Sequence, residues 1–494
     1  MAAEGGNNYF MRYSYRGKEG EVIPDGATHI TVGEGVTFVR SYAFYQHPNI
    51  VEVICHNGVE KIGARAFVHC PSLRRVIIPG VKEVEGGAFC QCSALTDVEC
   101  GQLELIKDEA FCECSSLRNI DLLSVRIVER LAFYDCQMSR NFNFGIKLKE
   151  LDLSVISEYY GRWGDPFGSE GLSALVGALA NCTCIKRLNL SGNDFSMATA
   201  ELRSLSHWLQ TLALPLDELR LVCCEIIDEG LQALTEGSAD HCKLINLEGN
   251  HNITTRGLRF LLDSMQAASC SLKHLILPDI GDDGAEVLAR GLTGNTSLKF
   301  LHLFGDYENG NMPTVTPAGW SAFIKVLCDT STINNTYLSN HTIRELWDDH
   351  PIDGWWYTTF EHVEEYKDIG QDLTLYLRLN KKYPQHAARC KILMNHKHLD
   401  LTPLLRQLEF KCLPLVIDWF ERAKPCIALP WYGRRKPYIL EESAENFESR
   451  ILTALYEFVH GAPGKVLERR GELTLVAAYD DKVASLLDDE TSSC

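Results

Sequence analysis

The dipeptide Ala-Phe recurs five times between Ala43 and Phe133, and the steps between its phenylalanines are 23, 22, 22 and 22 residues. The copies are Ala43-Phe44, Ala66-Phe67, Ala88-Phe89, Ala110-Phe111 and Ala132-Phe133. A fixed period of this length is the mark of a solenoid, whose units bury their apolar faces only against one another. Other positions keep the same phase. Three residues after each Phe comes His47, Cys70, Cys92, Cys114 or Cys136. Three further on lie Ile50, Leu73, Leu95 and Leu117, and then Val53, Val76, Val98 and Ile120. Each unit therefore reads as a short extended run, a turn, and a brief helical or irregular return carrying Ala-Phe-x-x-Cys.

The stretch from Val59 to Gly80, VEKIGARAFVHCPSLRRVIIPG, resembles the BspA-type leucine-rich repeat almost position by position. That resemblance implies a right-handed solenoid with a parallel sheet on one face. It implies no catalytic activity, because the family is defined by architecture.

From Leu172 the period lengthens. Leu188-Asn-Leu190, Leu219-Arg-Leu221, Ile245-Asn-Leu247, Leu275-Ile-Leu277 and Leu301-His-Leu303 begin 31, 26, 30 and 26 residues apart. Helical patterns lie between them. Asn193, Cys224 and Asn250 follow the first three at the turn, whereas Ile280 and Asp306 follow the last two. Cys184 to Ser196, CIKRLNLSGNDFS, resembles the ribonuclease-inhibitor type of leucine-rich repeat, in which a full helix returns on the outside and an Asn or Cys side chain bonds the free backbone groups of the turn. Ile280 and Asp306 depart from that pattern and predict irregular turns.

The expected fold is thus an α/β solenoid, a leucine-rich-repeat horseshoe with a parallel concave sheet and a helical C-terminal cap domain. Residues 1–29 form an N-terminal cap, a strand or hairpin over the first open core face. Residues 30–140 hold the BspA-type repeats, 141–171 a junction, and 172–340 the ribonuclease-inhibitor-type repeats. Residues 341–494 form a helical cap or small domain, with Thr402-Pro403 starting one helix. This layout resembles large repeat families of unicellular algae.

The chain of 494 residues carries a formal net charge of −18. That balance argues against nucleic acid as a partner and favours a protein partner, a basic one in particular. No apolar run is long enough to span a membrane, and the N-terminus lacks the apolar core of a secretion signal. The 19 cysteines are an odd number and fall mostly in repeat phase. They predict free thiols, a buried small hydrophobe in each coil, and a reducing, cytoplasmic location. Cys90-Gln91-Cys92 and Cys112-Glu113-Cys114 are too tightly spaced for the usual zinc knuckle. No nucleophile, phosphate-loop, metalloprotease or dinucleotide motif occurs, so neither a catalytic site nor a cofactor is expected.

In an L-x-L strand the leucines face the core and the residues between and beside them face out. Among those, Arg220 and Asn246 are polar, while His274, Ile276, Phe300, His302 and Phe304 make an aromatic and apolar group. Such a group has the composition of a binding hot spot. Equally, it is a surface that residues 341–494 could cover. The acidic run from Glu345 to Asp372 would steer a basic partner towards it. The two histidines suggest a pH dependence near neutrality. The functional expectation is a non-catalytic protein-interaction scaffold of unknown oligomeric state. The alternatives are an enzymatic or ligand-binding C-terminal domain carried by the repeats, and a surface adhesion protein.

Overall fold

The computed structural model describes residues 11–395 apart from 137–142, 158–160, 163–166, 268, 305–314, 353–354, 359–366, 383 and 386. By its contacts the chain divides into two compact units, residues 1–327 with 342–377, and residues 328–341 with 378–494.

In the first unit each Ala-Phe coil contributes two short strands, where the sequence suggested one. The Val-x-Ile runs form a six-stranded sheet through Arg12–Tyr15, His29–Val32, Glu52–Ile54, Arg75–Ile78, Asp97–Cys100 and Asn119–Ile120. The first of these strands belongs to the expected N-terminal cap, and it pairs in parallel with the second. Its Tyr15 ring lies 5.0 Å from that of Phe44, so a tyrosine closes the end of the phenylalanine column. The other strand of each coil, such as Lys61–Ile62 or Glu83–Val84, enters a thirteen-stranded sheet.

The long sheet runs through both repeat types without a break. Ile127–Val128 pairs with Glu150–Asp152, and that strand pairs with Arg187–Asn189. From there it continues through Glu218–Arg220, Leu244–Asn246, His274–Leu277 and Phe300–Phe304. It then goes on where the sequence predicted helix. Glu345–Ile352 pairs in parallel with Phe300–Phe304, and Trp355–Thr358 closes the sheet antiparallel. The helical reading therefore fails for the start of residues 341–494. The run extends the sheet at the edge left open by Phe300–Phe304, whose backbone groups are available to pair with a further strand. Lys367–Lys382 and Ala387–Asn395 are helices, the second of them at the spacing the sequence indicated. The helix expected at Thr402-Pro403 lies outside the described residues.

The return of each Ala-Phe coil is not helical. Two residues per coil sit in the left-handed region, one before the Ala and one before the Cys. In the fourth coil these are Glu109 at φ 57° and Glu113 at φ 55°. Only Gly87, among the ten such positions, is a glycine. Side chains pay a steric cost there, so the surroundings must hold the turn. They do so through backbone bonds between coils. The amides of Glu109, Phe111 and Glu113 donate to the carbonyls of Arg130, Ala132 and Tyr134, at 3.0, 2.9 and 2.8 Å. The same three bonds link the coils before it.

That return creates the core. The rings of Phe44, Phe67, Phe89, Phe111 and Phe133 stack face to face, 4.7 to 5.5 Å apart and within 7° of parallel. The cysteine column does more than fill space. The thiols of Cys70, Cys92, Cys114 and Cys136 donate to the carbonyls of Phe44, Phe67, Phe89 and Phe111, each at 3.0 or 3.1 Å. In the first coil His47 takes this position, and its Nε2 lies 3.1 Å from the Pro24 carbonyl. A buried carbonyl with no donor is costly, and a thiol is a donor small enough to fit.

Beyond Ser169 a helix replaces the second strand of each coil. These helices are α1 (Ser169–Leu179), α2 (Thr199–Leu209), α3 (Asp228–His241), α4 (Thr255–Met265), α5 (Gly281–Leu292) and α6 (Pro317–Leu327). The turn asparagines do what their position implied. Asn250 is fully buried; its amide donates to Leu221 and Leu247, and its Oδ1 accepts from the backbone of Cys224 and Ile226. Cys224, in the alternative position, donates its thiol to Leu190 at 3.3 Å. Gly249 precedes Asn250 at φ 71°, where an added Cβ would lie 2.4 Å from the Cys223 sulfur. Ile280 sits at the N-cap of α5, and Asp306 lies outside the described residues.

Candidate functional site: the open face of the long sheet

The inward leucines, such as Leu275 and Leu301, are fully buried, which leaves the alternate residues on the opposite face. Strand register sorts these into rows. Leu244, His274 and Phe300 form one, and Asn246, Ile276 and His302 the next. The imidazole of His274 stacks on Phe300 with ring centroids 4.1 Å apart and 26° between planes. Ile276, Phe300 and both histidines are half-buried.

Register thus brings four of the seven candidate residues together. Arg220 lies two strands away, exposed, and its guanidinium is tied to Glu218 on its own strand. Asn246 does not face a partner freely. It is buried, and its Oδ1 accepts from the Glu248 amide at 2.9 Å, which braces the turn. Phe304 ends its strand, and its side chain lies outside the description.

The histidines differ from the sequence reading in their chemistry. Burial holds the His274 pKa below its ordinary value, and Lys273 and Lys299 depress it further against the pull of Glu345. Burial does the same for His302, with His274 beside it acting in the same direction. Burial therefore favours the neutral form of both rings. The pH dependence predicted near neutrality moves to more acid values.

Two charge arrangements were not picked out from the sequence. On the N-terminal half of the same sheet, Lys61 and Lys107 bridge Glu83 and Glu85, with Lys107 lying 2.9 and 3.2 Å from the two carboxylates. The second is a row at the residue just before each strand, where backbone bonds step from coil to coil. Lys82 bonds back to Glu60, Glu104 to Lys82, and Arg126 to Glu104. Farther along, Lys273 bonds to Lys243, Lys299 to Lys273 and Arg344 to Lys299. Aligning the sequence on Ala-Phe and L-x-L together would have shown this row, but the change of period at the junction hides it. Among the described residues no group of three metal-ligating side chains occurs, and no helix is long and apolar enough to cross a membrane.

Comparison with known proteins agrees with this architecture. Residues 27–159 match the BspA type leucine rich repeat region in six copies, and residues 181–196 match a leucine rich repeat. Residues 27–159 and 181–196 are thus leucine-rich repeats, and the first unit has an α/β solenoid fold. The match extends past the boundary drawn at residue 140 and takes in the strand Glu150–Asp152. Among solved structures, the leucine rich repeat protein of T. pallidum is 25% identical, over 33% of this chain and 68% of its own, with a TM-score of 0.21. The pneumococcal vaccine antigen PcpA is 16% identical, over 68% and 78%, with a TM-score of 0.26. LegL7 from Legionella pneumophila is 15% identical, over 62% and 93%, with a TM-score of 0.26. No curated protein matches the chain.

Proposed function

We propose that this protein is a non-catalytic scaffold that binds another protein on the open face of the long sheet, around His274, Ile276, Phe300 and His302. The observation that carries the reading is the stacked His274–Phe300 pair on a hydrogen-bonded sheet. Rings held in one orientation lose little freedom when a partner covers them, so a few can dominate an affinity. Leucine-rich repeat proteins commonly mediate protein–protein interaction, and this chain follows their use of a sheet face. The location we propose is cytoplasmic. Supporting it, the column cysteines spend their thiol protons on phenylalanine carbonyls, and pairing as disulfides would remove those bonds.

The test is Phe300→Ala in the full chain, with partner capture by affinity purification and mass spectrometry beside a thermal melt. A protein captured by the wild type and lost from a variant with an unchanged melting temperature supports the reading. A lowered melting temperature with capture retained makes Phe300 a packing residue and removes it.

A further inference from the structure

The row before the strands changes character along the solenoid. From Glu60 to Arg126 the signs alternate and neutralise, and the row then passes through Lys149, Lys186 and Asp217. Lys82 bridges Glu60 at 2.8 Å, and Arg126 bridges Glu104 at 3.2 Å. In its C-terminal part four successive coils place Lys243, Lys273, Lys299 and Arg344, all cations. Lys243 is answered by Asp217 at 2.6 Å. No carboxylate pairs with Lys273, Lys299 or Arg344 among the described residues, in a chain whose net charge is −18. Lys299 and Arg344 are half-buried, and Lys273 is exposed. Burial and the neighbouring Arg344 and Lys273 both hold the Lys299 pKa below its ordinary value. Stacked like charges raise the energy of the free protein, and that energy is released when anions arrive.

We propose that this cationic row, with the His274–Phe300 stack beside it, docks an extended acidic segment of a partner protein. The proposal rests on the protein-binding reading above and names the chemistry of the partner. It also reverses the expectation of a basic partner, which was drawn from bulk charge and from an acidic run whose side chains lie largely outside the description. Neighbouring strands lie about 4.8 Å apart, so the three cations span roughly 10 Å along the solenoid axis. An extended chain laid along that axis repeats its side chains on one face about every 6.8 Å. Two carboxylates two residues apart therefore fall among three cations, and intervening apolar side chains reach the aromatic stack. Glu345 follows Arg344 and acts on both histidines, so it repels acid from the aromatic rows and confines the carboxylates to the rim.

The probe is a fluorescent synthetic peptide alternating Glu with Phe and Ser, titrated into the full chain by anisotropy at low and high salt. The wild type is expected to bind it, more weakly as salt rises. Lys273→Glu with Lys299→Glu is expected to lose about ten-fold or more in affinity. The milder Lys273→Gln with Lys299→Gln guards against misfolding, with thermal melts on each, and Lys82→Glu is expected to bind like wild type. Stronger binding of the same peptide with Lys for Glu, no binding at all, or binding indifferent to both double variants would overturn the proposal. A thymidine oligonucleotide that displaces the peptide at lower concentration would also overturn it, by making the occupant a nucleic acid. If the peptide fails while the Phe300→Ala test succeeds, the acidic assignment falls and the scaffold reading stands.

Discussion

The cysteine of each Ala-Phe coil shows why a residue type recurs. A small hydrophobe was legible from its spacing, but its hydrogen bond was not, because the acceptor is a carbonyl 25 or 26 residues earlier. Cys92→Ala keeps the volume nearly constant and leaves the Phe67 carbonyl without its donor. It is expected to cost about 1–3 kcal/mol, measured as a shift in the chemical denaturation midpoint. No change would reduce the thiol to a filler. Thiol reactivity separates the columns further. Burial pushes Cys136 up to about 12, whereas a hydrogen bond from Cys112 holds half-buried Cys90 below the ordinary thiol value. Iodoacetamide is expected to modify Cys90 well before Cys136, as peptide mapping over time would show. In the second unit, Lys391 is fully buried and donates to the Asn340 carbonyl at 3.0 Å, and its Nζ lies 3.2 Å from His341 Nδ1. Burial and then the Lys391 charge depress His341 to about 4. The unfolded chain therefore takes up the proton first. Stability is whole above about pH 6.5 and falls as pH drops towards 4, by about 3 kcal/mol in all. His341→Gln is expected to flatten that part of the dependence, read from hydrogen exchange in the helix Ala387–Asn395. An unchanged profile would rule the imidazole out.

At the scale of the element, the Ala-Phe coil is two strands joined by left-handed turns around a stacked ring. Phe89 lies 5.1 Å from Phe67 and 5.2 Å from Phe111 and is fully buried. Phe89→Ala is expected to cost about 3–5 kcal/mol. Glu99 is exposed on the six-stranded sheet and pairs there with Arg75. Glu99→Ala is therefore not fully silent, but an exposed pair contributes only about 0–1 kcal/mol. Comparable melting shifts for the two variants would refute the stacked column. The strand Glu345–Ile352 teaches a different lesson: it falls in the region expected to be a helical cap, yet it pairs along the sheet edge offered by Phe300–Phe304.

Across the first unit, the sheet continues from one repeat type into the other, so damage at one end should propagate. In a solenoid each coil is stabilised by its neighbours. Phe89→Ala is expected to reduce amide protection most in the flanking coils, less at Glu150–Asp152, and least at His274–Leu277. Hydrogen exchange with mass spectrometry would show this gradient. Protection lost evenly along the unit would mean all-or-none folding, and loss stopping at Val128 would mean that the junction uncouples the two blocks.

The sequence alone determined the two periods, the phase of the buried residues and hence the leucine-rich repeat solenoid, because a coil stacked on its neighbour imposes its own spacing. It also marked four of the seven open-face residues that lie together, since strand alternation is local. Only tertiary structure decided the second strand of each coil, the left-handed turns, the thiol bonds and the cationic row. These depend on which backbone groups meet between coils, and that register accumulates over separations of 22 to 47 residues in which no local pattern records it. Asn246 was misplaced for the same reason: alternation points it outward, but the amide of Glu248 turns it into a brace.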